Sequence, residues 1–401
     1  MKNMNALAIT SIGIEDICSS EIKDLINADS KPHKGCVEFN IKKPQDLFKL
    51  CYLSQSSSRI LLLLSHFMAG SSKSGMSEKS IKSVFLNELK KNISKIDFSE
   101  WLDDNIRFAV NCQRIGIHDF NSADIEKAAA FSINNSNSKV DLKNPDIIIY
   151  IYLIDNDCYI GIDFSGKDLS KRDYKIFSNI RSLKPNIAYS LVRIADFRKG
   201  QIMIDPFCGS GEIPIEATLF ENNFPQNHFS KDSFAFLNFK KFKDFDFEVF
   251  FDDIDKDIRQ DKTSIYAYDN QLKNIMAVKK NAKIASIQKY MSISRVDIDW
   301  LETKFKQNSV DRIITHIPDV PKHNDPKPII KVLDDFFWEA EFILKPSGSI
   351  VTISRSIESL KQPIKKYKFT IKQTREVWQG KEKLIVLEIL KNNQPTKISD
   401  F

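Results

Sequence analysis

The sequence has 401 residues, 42% of them hydrophobic, which is enough for two or three domains with packed cores, and its 59 Lys+Arg against 53 Asp+Glu give a net charge of +6 that permits a basic face without demanding one. Its six cysteines (Cys18, Cys36, Cys51, Cys112, Cys158 and Cys208) form no C-x-x-C pair and stand at no zinc spacing with a histidine, so no disulfide scaffold or metal site is expected. The longest apolar run, Ile60 to Leu64, is too short for a bilayer, and Glu15 and Asp16 break the early apolar stretch, so a cytoplasmic protein with neither membrane span nor signal peptide is expected.

Ala6–Ile9 reads as a short strand, ended by Gly13, and Ile14, Ile17, Cys18, Ile22, Leu25 and Ile26 follow at helical spacing. A strand at Gly35–Ile41 and a helix from about Pro44 to Cys51 complete a β-α-β-α order, which predicts a small α+β layer. Ile60–Phe67 predicts a buried strand, Ala69–Gly75 a loop, Ser77–Leu89 an amphipathic helix, Ile106–Cys112 a strand, Asp119–Ile133 a helix and Asn134–Ser138 a second loop. Two strands, Ile147–Ile154 and Cys158–Phe164, flank the turn at Asp155-Asn156-Asp157. Arg107, Arg114 and His118 can meet phosphates or 2′-hydroxyls, although charge counting alone favours a solvated face. The stretch from Asp168 to Ser182 carries Lys171, Arg172 and Arg181 around Tyr174. It reads either as a basic path for a nucleic-acid backbone or as a charged linker.

From Leu183 onward helix and strand alternate. Lys184–Ala195 is an amphipathic helix with Pro185 at its start. Ile202-Met203-Ile204 then runs into Asp205-Pro206-Phe207-Cys208-Gly209-Ser210-Gly211 and a helical segment, the strand–turn–helix order of α/β nucleotide sites. Gly209 and Gly211 let a ligand approach the backbone, the free N–H groups of the helix start face the same place, and Asp205 can accept from a hydroxyl or an amine. Cys208 has no histidine near it in sequence, which favours a small packing residue over a nucleophile. An insertion follows, Glu221 to Ser264. Its phenylalanines (Phe234, Phe236, Phe239, Phe242, Phe245 and Phe247) are expected to anchor it to the domain, not to stack on bases. Strand Ser264–Tyr268 ends on Asp269, where a ribose diol is held in such sites, and a helix with Leu272, Ile275, Val278 and Ala282 comes next. Strand Ser292–Val296 ends at Asp297-Ile298, an acid that can accept from an exocyclic amine and a side chain that can pack on a ring. Strand Asp311–His316, helix Ile329–Leu344, the segment Lys345–Ser349, strand Ile350–Ser354 and two terminal strands, about Tyr367–Trp378 and Lys383–Ile389, complete the half.

Three phrases in the first half resemble a THUMP domain: Phe108 to Ile125, Val140 to Asp146, and Tyr159 to Gly166. THUMP modules are RNA-binding parts of tRNA-modifying enzymes, and a ferredoxin-like layer often precedes them. In the second half, Asp205–Gly211, Asp163–Lys175, Tyr268-Asp269-Asn270 with Asn281-Ala282, and Leu344–Gly348 resemble the THUMP-bearing, class I S-adenosyl-L-methionine-dependent RNA guanine-N2 methyltransferases. The resemblance implies an α/β chain: an α+β ferredoxin-like/THUMP RNA-binding region followed by a Rossmann-like class I methyltransferase domain. The spans are 1–60 for the ferredoxin-like region, 61–167 for THUMP, 168–182 for a linker and 183–401 for the methyltransferase domain. It implies cofactor contacts at Asp205, Phe207, Gly209, Gly211, Asp269, Asn270, Asp297 and Ile298, RNA contacts at Arg107, Arg114, His118, Lys171, Arg172 and Arg181, and tRNA or another structured RNA as partner.

One departure matters. Where the family carries Asn-Pro-Pro-Tyr or Asp-Pro-Pro-Tyr, this chain has His316-Ile317-Pro318-Asp319. Amine methylation needs the nitrogen lone pair aimed at the methyl carbon, so positioning is most of the catalysis. By the resemblance, His316, Pro318 and Asp319 occupy the catalytic positions. Neutral His316 can accept through one ring nitrogen, or it can be a structural histidine at a strand end. The leading expectation is methylation of a guanine N2 amine in tRNA, by family analogy guanosine 6 of the acceptor stem, by a monomer. The alternatives are a non-catalytic RNA-binding paralogue and an rRNA guanine-N2 methyltransferase. A dehydrogenase is disfavoured because Pro214 stands where a third glycine belongs.

Overall fold

The computed structural model describes residues 4–69, 78–103, 105–133, 138–179, 181–321 and 325–392. The expected loops at Ala69–Gly75 and Asn134–Ser138 lie largely outside these. The chain divides into two compact units. One holds Met1–Thr10, Cys18–Leu169 and Asn227–Ile254; the other holds Ser11–Ile17, Ser170–Gln226 and Asp255–Phe401.

The first unit begins with β1 (Met4–Ile9), α1 (Glu15–Ile26, whose first turn belongs to the second unit), β2 (Ser30–His33), β3 (Cys36–Ile41), α2 (Gln45–Leu53) and β4 (Arg59–Met68). Its sheet order, β2-β3-β1-β4, is ferredoxin-like. β2 escaped the sequence reading because it is short and holds Pro32, which an edge strand tolerates. The unit continues with α3 (Glu78–Ile93), β5 (Arg107–Ile115), α4 (Ser122–Ser132), β6 (Lys139–Val140), β7 (Ile147–Ile154) and β8 (Asp157–Asp163). β4 pairs antiparallel with β8, so all these strands form one eight-stranded sheet. A domain boundary at residue 60 therefore falls inside β4, whose residues Ile60 to Leu63 are buried.

The second unit holds α5 (Pro185–Ile194), β9 (Met203–Asp205) and α6 (Glu212–Glu221). After Gln226 the chain returns to the first unit with the insertion, which carries α7 (Phe247–Asp255). The insertion's phenylalanines do anchor it, but to the first unit, not the methyltransferase domain in which they are encoded. Phe234, Phe236 and Phe239 are at most 1% exposed. Phe236 stacks on Phe48 with ring centres 4.6 Å apart, and Phe242 and Phe247 meet the same ring edge-on at 5.0 and 5.2 Å.

Back in the second unit come β10 (Ile265–Asp269), α8 (Leu272–Ile284), β11 (Ser292–Arg295), β12 (Val310–His316), α9 (Lys327–Ile343), β13 (Leu344–Ser354), α10 (Glu358–Lys366), β14 (Phe369–Gln379) and β15 (Glu382–Lys391). The seven-stranded sheet runs β11-β10-β9-β12-β13-β15-β14, with β9 to β13 parallel and β15 antiparallel to both its neighbours, β13 and β14. Successive strand residues take opposite faces. Met203, Ile314 and Val351 pack on one face with Leu191 of α5, Ile213 of α6 and Val278 of α8. Ile204, Ile313 and Ile350 pack on the other with Phe336 of α9 and Ile364 of α10. The segment Lys345–Ser349, expected to precede the strand, is the irregular start of β13, where pairing jumps from Val310↔Leu344 to Arg312↔Ser349. The strand order reverses direction between β9 and β12. Ligands of open α/β sheets bind at the carboxyl ends of the strands at such a point.

Candidate active site

Asp205 ends β9 and is 1% exposed. Its Oδ1 accepts from the Thr315 hydroxyl at 2.6 Å and the Phe207 N–H at 3.2 Å, while its buried Oδ2 has no partner among the described residues. Burial outweighs those two bonds and pushes the carboxyl up to about 7. The following turn is tight: the Gly211 N–H reaches the Cys208 carbonyl at 2.7 Å, and the Gly209 N–H reaches Asp269 Oδ2 at 3.1 Å. Gly209 has φ +54° and Gly211 φ +90°, a region side chains rarely adopt. A Cβ on Gly211 would also lie 2.7 Å from Val278 Cγ1. The glycines are thus required by conformation and by space.

Asp269 ends β10, and its other oxygen accepts the Gln271 N–H at 2.9 Å. It lines a cavity of about 900 Å³ together with Phe207, Asn270, Pro318, Asp319 and Arg181, a size suited to a small organic ligand. A narrow cleft of about 20 Å³ is lined by Asp205, Phe207, Gly209, His316 and Arg181. Phe207 and Arg181 line both.

His316 ends β12. Its Nδ1 lies 2.9 Å from the Arg181 carbonyl, and its own carbonyl accepts from Arg181 Nη1 at 3.3 Å. A carbonyl only accepts, so Nδ1 carries the proton and Nε2 is left as a bare acceptor. That Nε2 is buried and without a partner among the described residues. Burial, then the neighbouring Arg181 charge, lowers the imidazole to about 4, so it is neutral at physiological pH. Asp319 is differently placed: its two oxygens accept from the Arg355 N–H at 2.9 Å and Nη1 at 3.1 Å. Ile317 is fully buried in the core.

Several expected site residues lie elsewhere. Ile298 is buried in the core beside Val296, so it offers no face to a ligand, and exposed Asp297 caps its own Ile298 N–H at 2.8 Å. Among the described residues neither lines the cavity. Arg172 is buried and makes two 3.1 Å contacts to Glu216, which also accepts from the Tyr174 hydroxyl at 2.7 Å. It is a structural cation whose charge is engaged internally, against the expectation of an RNA contact. Arg181 belongs to the cleft. Lys171 is exposed. In the first unit, Arg107 bonds Asp146 through Nε at 3.1 Å and Nη2 at 2.8 Å, Arg114 Nη1 reaches the His118 carbonyl at 3.5 Å, and His118 Nε2 donates to the Asp155 carbonyl at 2.7 Å.

The sequence reading missed Thr315, Arg355 and Asn281's role. Asn281 accepts the Phe177 N–H at 3.0 Å and donates to the carbonyls of Phe177 at 2.7 Å and Ser210 at 3.0 Å, fastening the connector to the glycine turn. No local motif marks these residues; Thr315 stands 110 positions from the acid it serves.

Strand order, glycine turn and strand-end acids together define a class I, Rossmann-like methyltransferase fold. The chain belongs to the RMKL-like methyltransferase domain family, whose family model matches residues 172–384, and a THUMP domain is matched over residues 84–163. A tRNA (guanine(6)-N2)-methyltransferase of Methanocaldococcus jannaschii is 29% identical over 390 residues, 94% of this chain and 97% of that protein. Among solved structures, SMU.472, a putative methyltransferase complexed with SAH, superposes with a TM-score of 0.77 at 18% identity, covering 98% of this chain and all (100%) of that one. TrmN from Thermus thermophilus superposes with a TM-score of 0.68 at 21% identity, covering 97% and 100%. Among the described residues no helix is long and apolar enough to cross a membrane.

Proposed function

We propose that this protein transfers a methyl group from S-adenosylmethionine to the N2 amine of a guanosine in the acceptor stem of tRNA, in the cytoplasm. The observation that carries the reading is the bare Nε2 acceptor of neutral His316, in the same cleft as Asp205 and the glycine turn. The residues present fit the cofactor: Asp205 keeps one carboxylate oxygen free for an ammonium, the two glycines leave the backbone open to a ligand, and the Asp269 oxygens each retain a lone pair for ribose hydroxyls. When bound, it supplies an electrophilic methyl group. His316 Nε2 would accept one N–H of the target amine, leaving the nitrogen lone pair free to face the methyl group, and would take the proton that the amine loses on methylation. Pro318 stiffens the wall beside it. RNA contacts are proposed at Lys171 and, beyond their local bonds, at Arg107, Arg114 and His118.

Asp319 favours a second reading, RNA binding without methyl transfer, because an acid paired with Arg355 stands where the family has a stacking aromatic. The two separate by reacting the protein with isotopically labelled cofactor and three substrates: unmodified tRNA, the same tRNA with adenosine at position 6, and large-subunit rRNA. Label in the first alone supports the proposal. Label in rRNA alone moves the target, and label in none with cofactor bound favours the second reading.

A further inference from the structure

The connector before α5 is held at many points. The Arg181 N–H donates to Asn179 Oδ1 at 3.0 Å, Gln379 accepts the Lys184 N–H at 2.6 Å and donates to the Ser182 carbonyl at 3.2 Å, and the Ser182 hydroxyl donates to Glu212. His316 Nδ1–H adds its bond to the Arg181 carbonyl. These bonds hold the Arg181 N–H and carbonyl and the two residues that follow, so the backbone from which its side chain reaches a ligand is already placed.

The guanidinium itself has few protein partners among the described residues. Its hydrogen bond among the described residues is the 3.3 Å contact from Nη1 to the His316 carbonyl, and it makes no ion pair there. The nearby carboxylates are engaged elsewhere: Asp319 with Arg355, Asp269 with the Gly209 and Gln271 N–H groups. The remaining N–H groups of Arg181 are not among the buried atoms left without a partner, so they stay open to solvent and available to an incoming acceptor. Across the same narrow cleft, Asp205 Oδ2 is a buried acceptor without a donor. Donors open to a ligand and an unsatisfied buried acceptor line one cleft, which matches a zwitterion.

We propose that Arg181 binds the carboxylate of the cofactor's amino-acid end while Asp205 Oδ2 takes its ammonium. This assignment rests on the reading of the cleft as the cofactor site, and it moves Arg181 from RNA contact to cofactor contact. Guanidinium and carboxylate match in shape and charge. The arrangement also joins two tasks in one residue: the side chain of Arg181 holds the cofactor and its carbonyl sets the tautomer of His316.

The test is calorimetric titration of the full-length protein with S-adenosylhomocysteine and with its decarboxylated analogue. The wild-type protein is expected to bind the analogue roughly 10- to 100-fold more weakly. Arg181→Ala is expected to bind S-adenosylhomocysteine with a similar loss and no longer to distinguish the two ligands, with Arg181→Lys in between. Equal binding of both ligands by the wild-type protein overturns the assignment and needs no variant. So does full discrimination by Arg181→Ala, and a fall in its tRNA affinity alone would then give the guanidinium to a phosphate. In both cases the methyl-transfer reading stands. Wild-type protein that binds neither ligand overturns both.

Discussion

At the end of β12 an imidazole can replace a side-chain amide only if one ring nitrogen stays an acceptor, and the Arg181 carbonyl enforces this by accepting the Nδ1–H hydrogen bond, which keeps the proton on Nδ1. His316→Ala is expected to lower kcat about 10- to 100-fold with a smaller loss of S-adenosylhomocysteine affinity through the bond that holds Arg181, and His316→Asn to recover part of the loss in kcat, as read by steady-state kinetics beside calorimetry. With His316 lowered to about 4, no histidine-like inflection near pH 6.5 is expected from it; the acidic limb belongs to Asp205, near 7. Asp205 must be ionised to hold an ammonium, so cofactor affinity is expected to fall as pH drops below 7. Its stability effect runs the other way. Its folded pKa is raised from 3.8 to about 7, so its contribution is present below the unfolded value and is lost as pH rises through the folded one. Asp205→Asn is therefore expected to stabilise the protein at pH 8 by about 3–4 kcal/mol, to have little effect near pH 4, and to weaken cofactor binding. Thermal unfolding at the two pH values checks this, and an equal effect at both contradicts it.

Among the elements, the connector from Ser170 to Lys184 shows what a sequence hides. Lys171-Arg172-Asp173-Tyr174-Lys175 reads as a basic surface path, but Arg172 and Tyr174 are buried on Glu216 of α6, 44 and 42 positions away. Nothing in the local pattern marks Glu216 as an interior acid; only the packing of the connector on α6 makes it one. Removing one partner of a buried pair strands the other charge. Glu216→Ala is expected to cost about 3–5 kcal/mol in denaturant unfolding, more than Lys171→Ala, whose exposed side chain should change stability by less than about 0.5 kcal/mol. The glycine turn, by contrast, was legible because its requirements are local: an acid at a strand end and two positive-φ residues within three positions.

At the scale of the whole molecule, the fold class and the order of elements followed from periodicity and resemblance, while the partition of the chain did not. The chain passes between its two units after Thr10, Ile17, Leu169, Gln226 and Ile254, so linear boundaries do not separate them. The insertion's phenylalanines were recognised as anchors, but a phenylalanine carries no label for the surface it packs on; Phe48 lies far upstream. Phe236→Ala is expected to cost about 3–5 kcal/mol, and a fragment ending at Leu169 to bind a hydrophobic dye, since the insertion fills the first unit's core. A fragment that unfolds as cooperatively as the first unit of the full chain contradicts this.

The central claim, that His316 serves amine methylation from the cleft of the glycine turn, is tested most directly by nucleoside mass spectrometry of unmodified tRNA incubated with labelled cofactor and either wild-type protein or His316→Ala. The expected result is labelled N2-methylguanosine with the wild-type protein and at least tenfold slower formation with the variant. Equal rates, or no labelled guanosine from wild-type protein that binds the cofactor, would contradict it.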